Sequence, residues 1–303
     1  MPSNRASGRD RRADARPAGG SRHRPRRRFS QHFLLPAWAD KVVKAIDAQP
    51  GDVFLEIGPG KGALTLPLAD SGLPILAVEI DRDLASDLAA VVPSNVTLLT
   101  GDALKLDVTP YLTGLEPQRA LDAQASGSPP RRRFRVVGNL PYQISSPILF
   151  HLIHLHRTQR LFTDATIMVQ REVADRLTAR PRTRDYGVLS IDAQMHARIT
   201  RLLELPPGAF RPPPKVRSTV IRLVFGDPAA RVSDEKLFHA LVRAMFSQRR
   251  KTLQNALKPF DQTAPAVLAL AGIDGQRRPE TLDVTEIAKL ADLFATVRRP
   301  PVL

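Results

Sequence analysis

The 303-residue sequence predicts an α/β protein, with a doubly wound sheet domain followed by a small C-terminal helical domain. Three observations carry that expectation. Short β-like apolar runs alternate with helically spaced stretches until about residue 200. Several runs are nearly continuous in apolar residues, as strands of a parallel sheet are when helices cover both faces. From about residue 231 onward the periodicity is helical throughout.

Residues 1–28 hold ten arginines and two aspartates, a net +8 out of +15 for the chain. With Pro, Gly and Ser but almost nothing apolar, this tail has no burial to offset its backbone entropy and is expected to be disordered. It lacks the apolar stretch of a secretory signal, and Asp10, Asp14 and the many Gly and Pro argue against an amphipathic presequence. Such a charge run suits loose polyanion binding and solubility equally. The expected strands are 53–57, 75–79, 96–99, 135–138 and 165–169, with helices such as 83–92 and 146–155 between them. Residues 113–133, which end in Arg131-Arg132-Arg133, read as a long surface loop within the domain. The Pro-dense segment 205–215 is too stiff and too poor in donors for a helix or a central strand, and a strand resumes over 216–225. Leu237, Leu241 and Met245 then recur at helical spacing, and an Asp283–Glu286 capping box precedes Ile287, Leu290 and Phe294. The expected division is a tail at 1–28, a sheet domain at 29–227 and a helical domain at 228–303.

Composition excludes several classes. Zero cysteines rule out a disulfide scaffold, a thiolate metal site and a thiol nucleophile, and fit a reducing cytoplasm. No apolar run approaches the roughly 18 residues of a spanning helix, so no membrane association is expected. Seven histidines offer no ligand-spaced cluster, His151 and His154 included, so no metal is expected.

The first strand runs into Glu56-Ile57-Gly58-Pro59-Gly60-Lys61-Gly62-Ala63, a glycine-rich turn at the carboxyl edge where open α/β sheets bind ligands. Read literally, Gly58-x-Gly60-x-x-Ala63 with Glu79, 21 residues after Gly58, also satisfies a dinucleotide fingerprint. An NAD-dependent dehydrogenase is therefore one reading. Glu56 and Asp102 favour S-adenosylmethionine instead, because a sulfonium and an ammonium suit an acidic turn, whereas a pyrophosphate prefers bare backbone N–H groups. Glu56 would face the cationic ligand and Asp102 would accept from an adenine amine. Each acid alone also reads as a helix cap or a solvated loop residue.

After the fourth strand comes Gly138-Asn139-Leu140-Pro141-Tyr142. An adenine N6 lone pair is delocalised into its ring, so the amine must be drawn toward tetrahedral geometry before it can attack. The Asn139 side-chain oxygen and the Leu140 carbonyl can each accept an N6 hydrogen, with Pro141 fixing where that carbonyl points. Tyr142 would stack on the extruded base, and stacking is worth roughly 1–3 kcal/mol. An ordinary turn with a core tyrosine is the alternative.

Asn139–Tyr142 resembles the motif of amino-methylating enzymes, in the form found in the ribosomal RNA adenine N6,N6-dimethyltransferases, and the resemblance covers nearly everything from Phe29 onward. Further blocks that resemble the family are Ser30-Gln31-His32-Phe33-Leu34, with His32 where the family has Asn, Gln170–Leu177, Tyr186–Ser190, Phe210–Ser218 and Phe246–Thr252. The resemblance implies a Rossmann-like S-adenosylmethionine-dependent methyltransferase domain. It implies cofactor contacts at His32, Leu34, Glu56, Gly58, Gly60, Glu79, Asp102 and Asn139, and a reacting end at Asn139, Leu140, Pro141 and Tyr142. Phe210 would sandwich the base opposite Tyr142, and Arg249, Arg250 and Lys251 would meet RNA phosphates. The implied substrate is a small-subunit (16S) rRNA hairpin with two adjacent adenosines, each dimethylated, and a monomer is the default. The alternatives are adenine methylation of another nucleic acid such as large-subunit rRNA, the dehydrogenase, and a non-catalytic RNA-binding assembly factor.

Overall fold

A computed structural model describes residues 32–115, 133–248 and 250–298. The tail at 1–28, Ser30, Gln31, Arg131, Arg132 and Arg249 lie outside the described residues. The described chain begins with β1 (Phe33–Leu34), α1 (Pro36–Ile46), β2 (Asp52–Ile57), α2 (Thr65–Ala69), β3 (Ile75–Glu79), α3 (Arg82–Ala89), β4 (Val96–Thr100) and α4 (Thr109–Gly114). It continues with β5 (Arg133–Asn139), α5 (Ser145–Gln159), β6 (Phe162–Gln170), α6 (Arg171–Leu177), α7 (Val188–Gln194), β7 (Ala197–Leu205), β8 (Phe210–Arg211) and β9 (Ser218–Phe225). Four helices follow: α8 (Glu235–Phe246), α9 (Leu253–Leu257), α10 (Ala264–Ala271) and α11 (Val284–Arg298).

Seven strands form one sheet in the order β4-β3-β2-β5-β6-β9-β7. The first five are parallel, as the apolar runs predict. β9 and β7 are antiparallel additions at one edge, which the expectation of a parallel sheet did not include. β1 pairs with β8 in a separate two-stranded ribbon, Leu34 opposite Phe210.

Strand periodicity divides the core. Every residue of β2 and β3 is buried. Val53, Leu55 and Ile57 pack with α5 residues Ile148, Leu149 and Leu152 on one face, while Phe54 packs with Ala39, Val42 and Ile46 of α1 on the other. A third core joins Leu241, Met245, Leu268, Ile287 and Phe294 of the C-terminal helices to Tyr186, Ile191 and Met195. The capping box forms: Glu286 N–H donates to Asp283 at 2.8 Å and Asp283 N–H donates to Glu286 at 3.0 Å.

The amino ends of the strands carry a buried ionic network. Arg135 donates to Asp52 at 2.7 Å and to Asp164 at 2.8 Å. Arg135 and Arg222 also donate to the last carbonyls of α1, at Ile46, Asp47 and Ala45, satisfying groups that a helix end otherwise leaves open. That end of the sheet is structural, and the opposite end is left to chemistry. No helix among the described residues is long and apolar enough to cross a membrane.

Candidate active site

Four parallel strand ends meet at the carboxyl edge. β2 lies between β3 and β5, and the chain leaves it toward β3 and later returns on the other side at β5, so the crevice opens at this switch of direction. The glycine turn after β2 takes positive φ at Gly58 (71°), Gly60 (58°) and Gly62 (80°). Gly62 is also locked by packing, since a Cβ there would come within 2.6 Å of Leu88. Phe33 lies over the turn, 3.4 Å from where a Gly60 Cβ would stand, and Lys61 Nζ sits 4.7 Å from the Phe33 ring centre.

Glu79, at the end of β3, braces this turn. One carboxylate oxygen accepts from Gly60 N–H and the other from Asp81 N–H, both at 2.9 Å. Glu56 is 1 % exposed and its Oε2 has no hydrogen-bond partner. Burial is the main cause that raises its pKa to about 7; buried Thr65 favours the charged form and nearby Glu79 disfavours it. Thr65 Oγ1 is itself without a partner, so the two groups are close but not in hydrogen-bonding geometry. Asp102, beyond β4, accepts from Leu104 N–H at 3.0 Å and lies 3.8 Å from Lys105 Nζ.

Asn139 ends β5. Its Nδ2 donates to the His32 carbonyl at 3.0 Å, which leaves Oδ1 as a free acceptor. Leu140 is 1 % exposed and its N–H donates to Met168 O at 3.3 Å. Its carbonyl accepts no hydrogen bond among the described residues. Two consecutive residues therefore each keep a free acceptor. Tyr142 is half-buried, its hydroxyl 2.7 Å from Ser218 Oγ, and burial raises its pKa, so the ring is neutral and anchored at its far end.

Two expected contacts are arranged differently. Phe210 is not at the pocket mouth: it is 3 % exposed and packs with Leu34, Val42 and Leu205, because β8 pairs with β1 and turns the ring inward. The His32 ring is engaged with Pro212 and Tyr142, Nδ1 lying 2.8 Å from Pro212 O and the ring centre 5.8 Å from that of Tyr142. Leu34 is buried and paired with Phe210 through its backbone. Arg250 is exposed and Lys251 half-buried in the turn between α8 and α9. Ser218 and Gly138 were not singled out from sequence. A Cβ at Gly138 would stand 2.6 Å from Ile57 O, so only glycine lets β5 run this close to β2 beside Asn139. A lone glycine inside an apolar strand was the available signal.

The unpartnered oxygen of buried Glu56, the glycine cradle and the paired acceptors of Asn139 and Leu140 fit a cationic methyl donor beside a polarised amine. Fold and site together define a Rossmann-like methyltransferase. The family model described as "Ribosomal RNA adenine dimethylase" matches residues 22–296, and the chain belongs to that family. A curated relative from Pseudomonas syringae pv. syringae, named "Ribosomal RNA small subunit methyltransferase A", is 43% identical over 90% of this chain and 96% of its own length. A dimethyladenosine transferase structure from Plasmodium falciparum superposes with a TM-score of 0.65 at 25% identity, covering 86% of this chain and 96% of that one. The 23S rRNA methyltransferase ErmE shares the fold, with a TM-score of 0.61 at 23% identity over 87% and 99% of the two chains. Family membership displaces the dehydrogenase reading.

Proposed function

We propose that this protein transfers methyl groups from S-adenosylmethionine to N6 of two adjacent adenosines in a hairpin near the 3′ end of small-subunit rRNA, dimethylating each and contributing to small-subunit biogenesis. The observation that carries the reading is the pair of free acceptors, Asn139 Oδ1 and the Leu140 carbonyl, beside an acidic glycine-lined crevice. S-adenosylmethionine supplies an electrophilic methyl group when bound. Glu56 offers its unpartnered carboxylate to positive charge, and Glu79 holds Gly60 and Asp81 so that the turn keeps its shape. Asp102 is the acceptor assigned to an adenine amine. Asn139 and Leu140 accept the two N6 hydrogens and localise the lone pair, while Tyr142, anchored on Ser218, stacks on the extruded base. The methylated nitrogen is acidic enough to release its proton to water, so rate comes from positioning rather than from a strong base.

The small-subunit assignment is supported by the name and near-complete coverage of the 43%-identical relative. In this reading 29–227 is catalytic, 228–303 contacts RNA through Arg249, Arg250 and Lys251, and the enzyme works as a cytoplasmic monomer. The test is incubation with labelled S-adenosylmethionine and unmethylated small subunits, followed by mass analysis of the nucleosides. Dimethyladenosine is expected from wild type, and Asn139→Ala should bind cofactor almost normally while losing at least about tenfold in rate, because its contact strengthens as N6 pyramidalises. Methylation of large-subunit RNA alone would overturn the substrate assignment.

A further inference from the structure

Far from the reacting end, one polar cluster is short of acceptors. His196, at the head of β7, is 4 % exposed and its imidazole makes no hydrogen bond among the described residues. Burial first, then Arg157, His239, His156 and Arg160, lower its pKa to about 4, so it is neutral at physiological pH. Arg157 Nε is likewise buried without an acceptor, although the guanidinium pairs with Glu235 elsewhere. Of the acids nearby, Asp192 pairs with His239 at 2.9 Å, and Asp227, exposed on the lining of the neighbouring cavity, pairs through one oxygen with Arg160 at 3.0 Å.

His196 borders a cavity of about 590 Å³, walled also by residues 177–180, 197–199 and 225–227. Arg180 and Arg198 stand exposed on its lining. The walls are tied in place: Gln194 Nε2 donates to Leu177 O at 2.9 Å and Ala179 O at 2.8 Å, and Gly226 N–H donates to His196 O at 3.2 Å. Ala197 lies opposite Phe225, whereas Leu205 lies opposite Ser218, the anchor of Tyr142. The cavity and the reacting end are thus separated by the length of β9, roughly 23 Å at about 3.3 Å per residue.

We infer that this cavity is a phosphate-binding site and that its occupant in the working enzyme is a phosphodiester of bound RNA. Phosphate oxygens supply the acceptors that His196 lacks, and Arg180 and Arg198 offer charge-assisted hydrogen bonds at the rim. A site here extends the RNA footprint to the sheet end opposite the chemistry, where phosphate contacts add affinity without reading a base. The choice of RNA as the phosphate source rests on the proposed function. The site itself does not.

The test follows the histidine ring signals of the full-length protein, without methyl donor, while inorganic phosphate or a short hairpin RNA is added. Both probes should raise the His196 titration midpoint by about one pH unit or more, and Arg180→Glu with Arg198→Glu, both surface changes, should abolish the response. The same double variant should leave the methylation kcat unchanged and raise the KM for RNA several-fold. A His196 signal indifferent to both probes overturns the site. A response to inorganic phosphate but not to RNA overturns RNA as the occupant. A response to RNA in a preparation that methylates nothing would count against the proposed function and not against this site.

Discussion

At the residue scale, Glu56 is the most telling group in the crevice, because it is buried, half unpartnered and close to Glu79. Its pKa in the folded protein, about 7, lies above its ordinary 4.5. The folded state therefore holds this proton more tightly than the unfolded chain, so stability falls as pH rises from about 4.5 and levels off above about 7, a loss of the order of 3 kcal/mol. Glu56→Gln should remove that loss. Its melting temperature should exceed that of wild type at pH 8 and approach it near pH 4.5, while its affinity for S-adenosylmethionine falls. Scanning calorimetry at the two pH values, with and without cofactor, checks both halves; equal stabilities at pH 8 would mean that the carboxylate finds compensation. The acid, the glycine turn and Asn-Leu-Pro-Tyr were legible because their chemistry depends on residue type and local spacing. What His32 and Phe210 do was not, since it depends on β1 meeting β8, a pairing between segments more than 170 residues apart in sequence.

Among the elements, burial explains what sequence revealed. β2 and β3 are covered on both faces and read as apolar runs. β7 is an edge strand whose residues are largely exposed or half-exposed, so no run marks it, and nothing local signals that β9 runs antiparallel to β6. The close approach of β5 to β2 at Gly138 is marked only by a lone glycine in an apolar strand, although the methyl-transfer motif hangs from it. Gly138→Ala would drive a Cβ to 2.6 Å from a backbone oxygen of the neighbouring β2, where no side chain can swing aside. Overpacking of this kind typically costs about 1–3 kcal/mol, and relief by separating the strands would displace Asn139. Chemical denaturation should show that loss, and kcat should fall further than the KM for S-adenosylmethionine rises. A variant that is destabilised yet retains full kcat would show that the strands yield elsewhere and that Asn139 is held independently of them.

Across the whole molecule the governing quantity is charge. The chain carries +15, of which residues 1–28 contribute +8, and the described surface adds Arg250 and Lys251 in the turn after α8. Phosphate contacts release counterions, so each one steepens the fall of binding with salt, by about 0.7 in the log–log slope for single strands and about 0.9 for duplex. None of these residues approaches Asn139 in sequence or is needed by the reaction chemistry. Removing residues 1–28 should therefore flatten the salt dependence of RNA binding by about 0.7–0.9 for every phosphate the tail engages, weaken binding most at low salt, and leave single-turnover methyl transfer at saturating RNA unchanged. Arg250→Ala with Lys251→Ala should flatten the slope further when combined with the truncation, because separate phosphate contacts add. Filter binding across a salt series, paired with the single-turnover rate, separates the two terms. An unchanged slope would assign the tail to solubility, and a slower chemical step would mean that it helps to assemble the crevice as well as to hold the RNA.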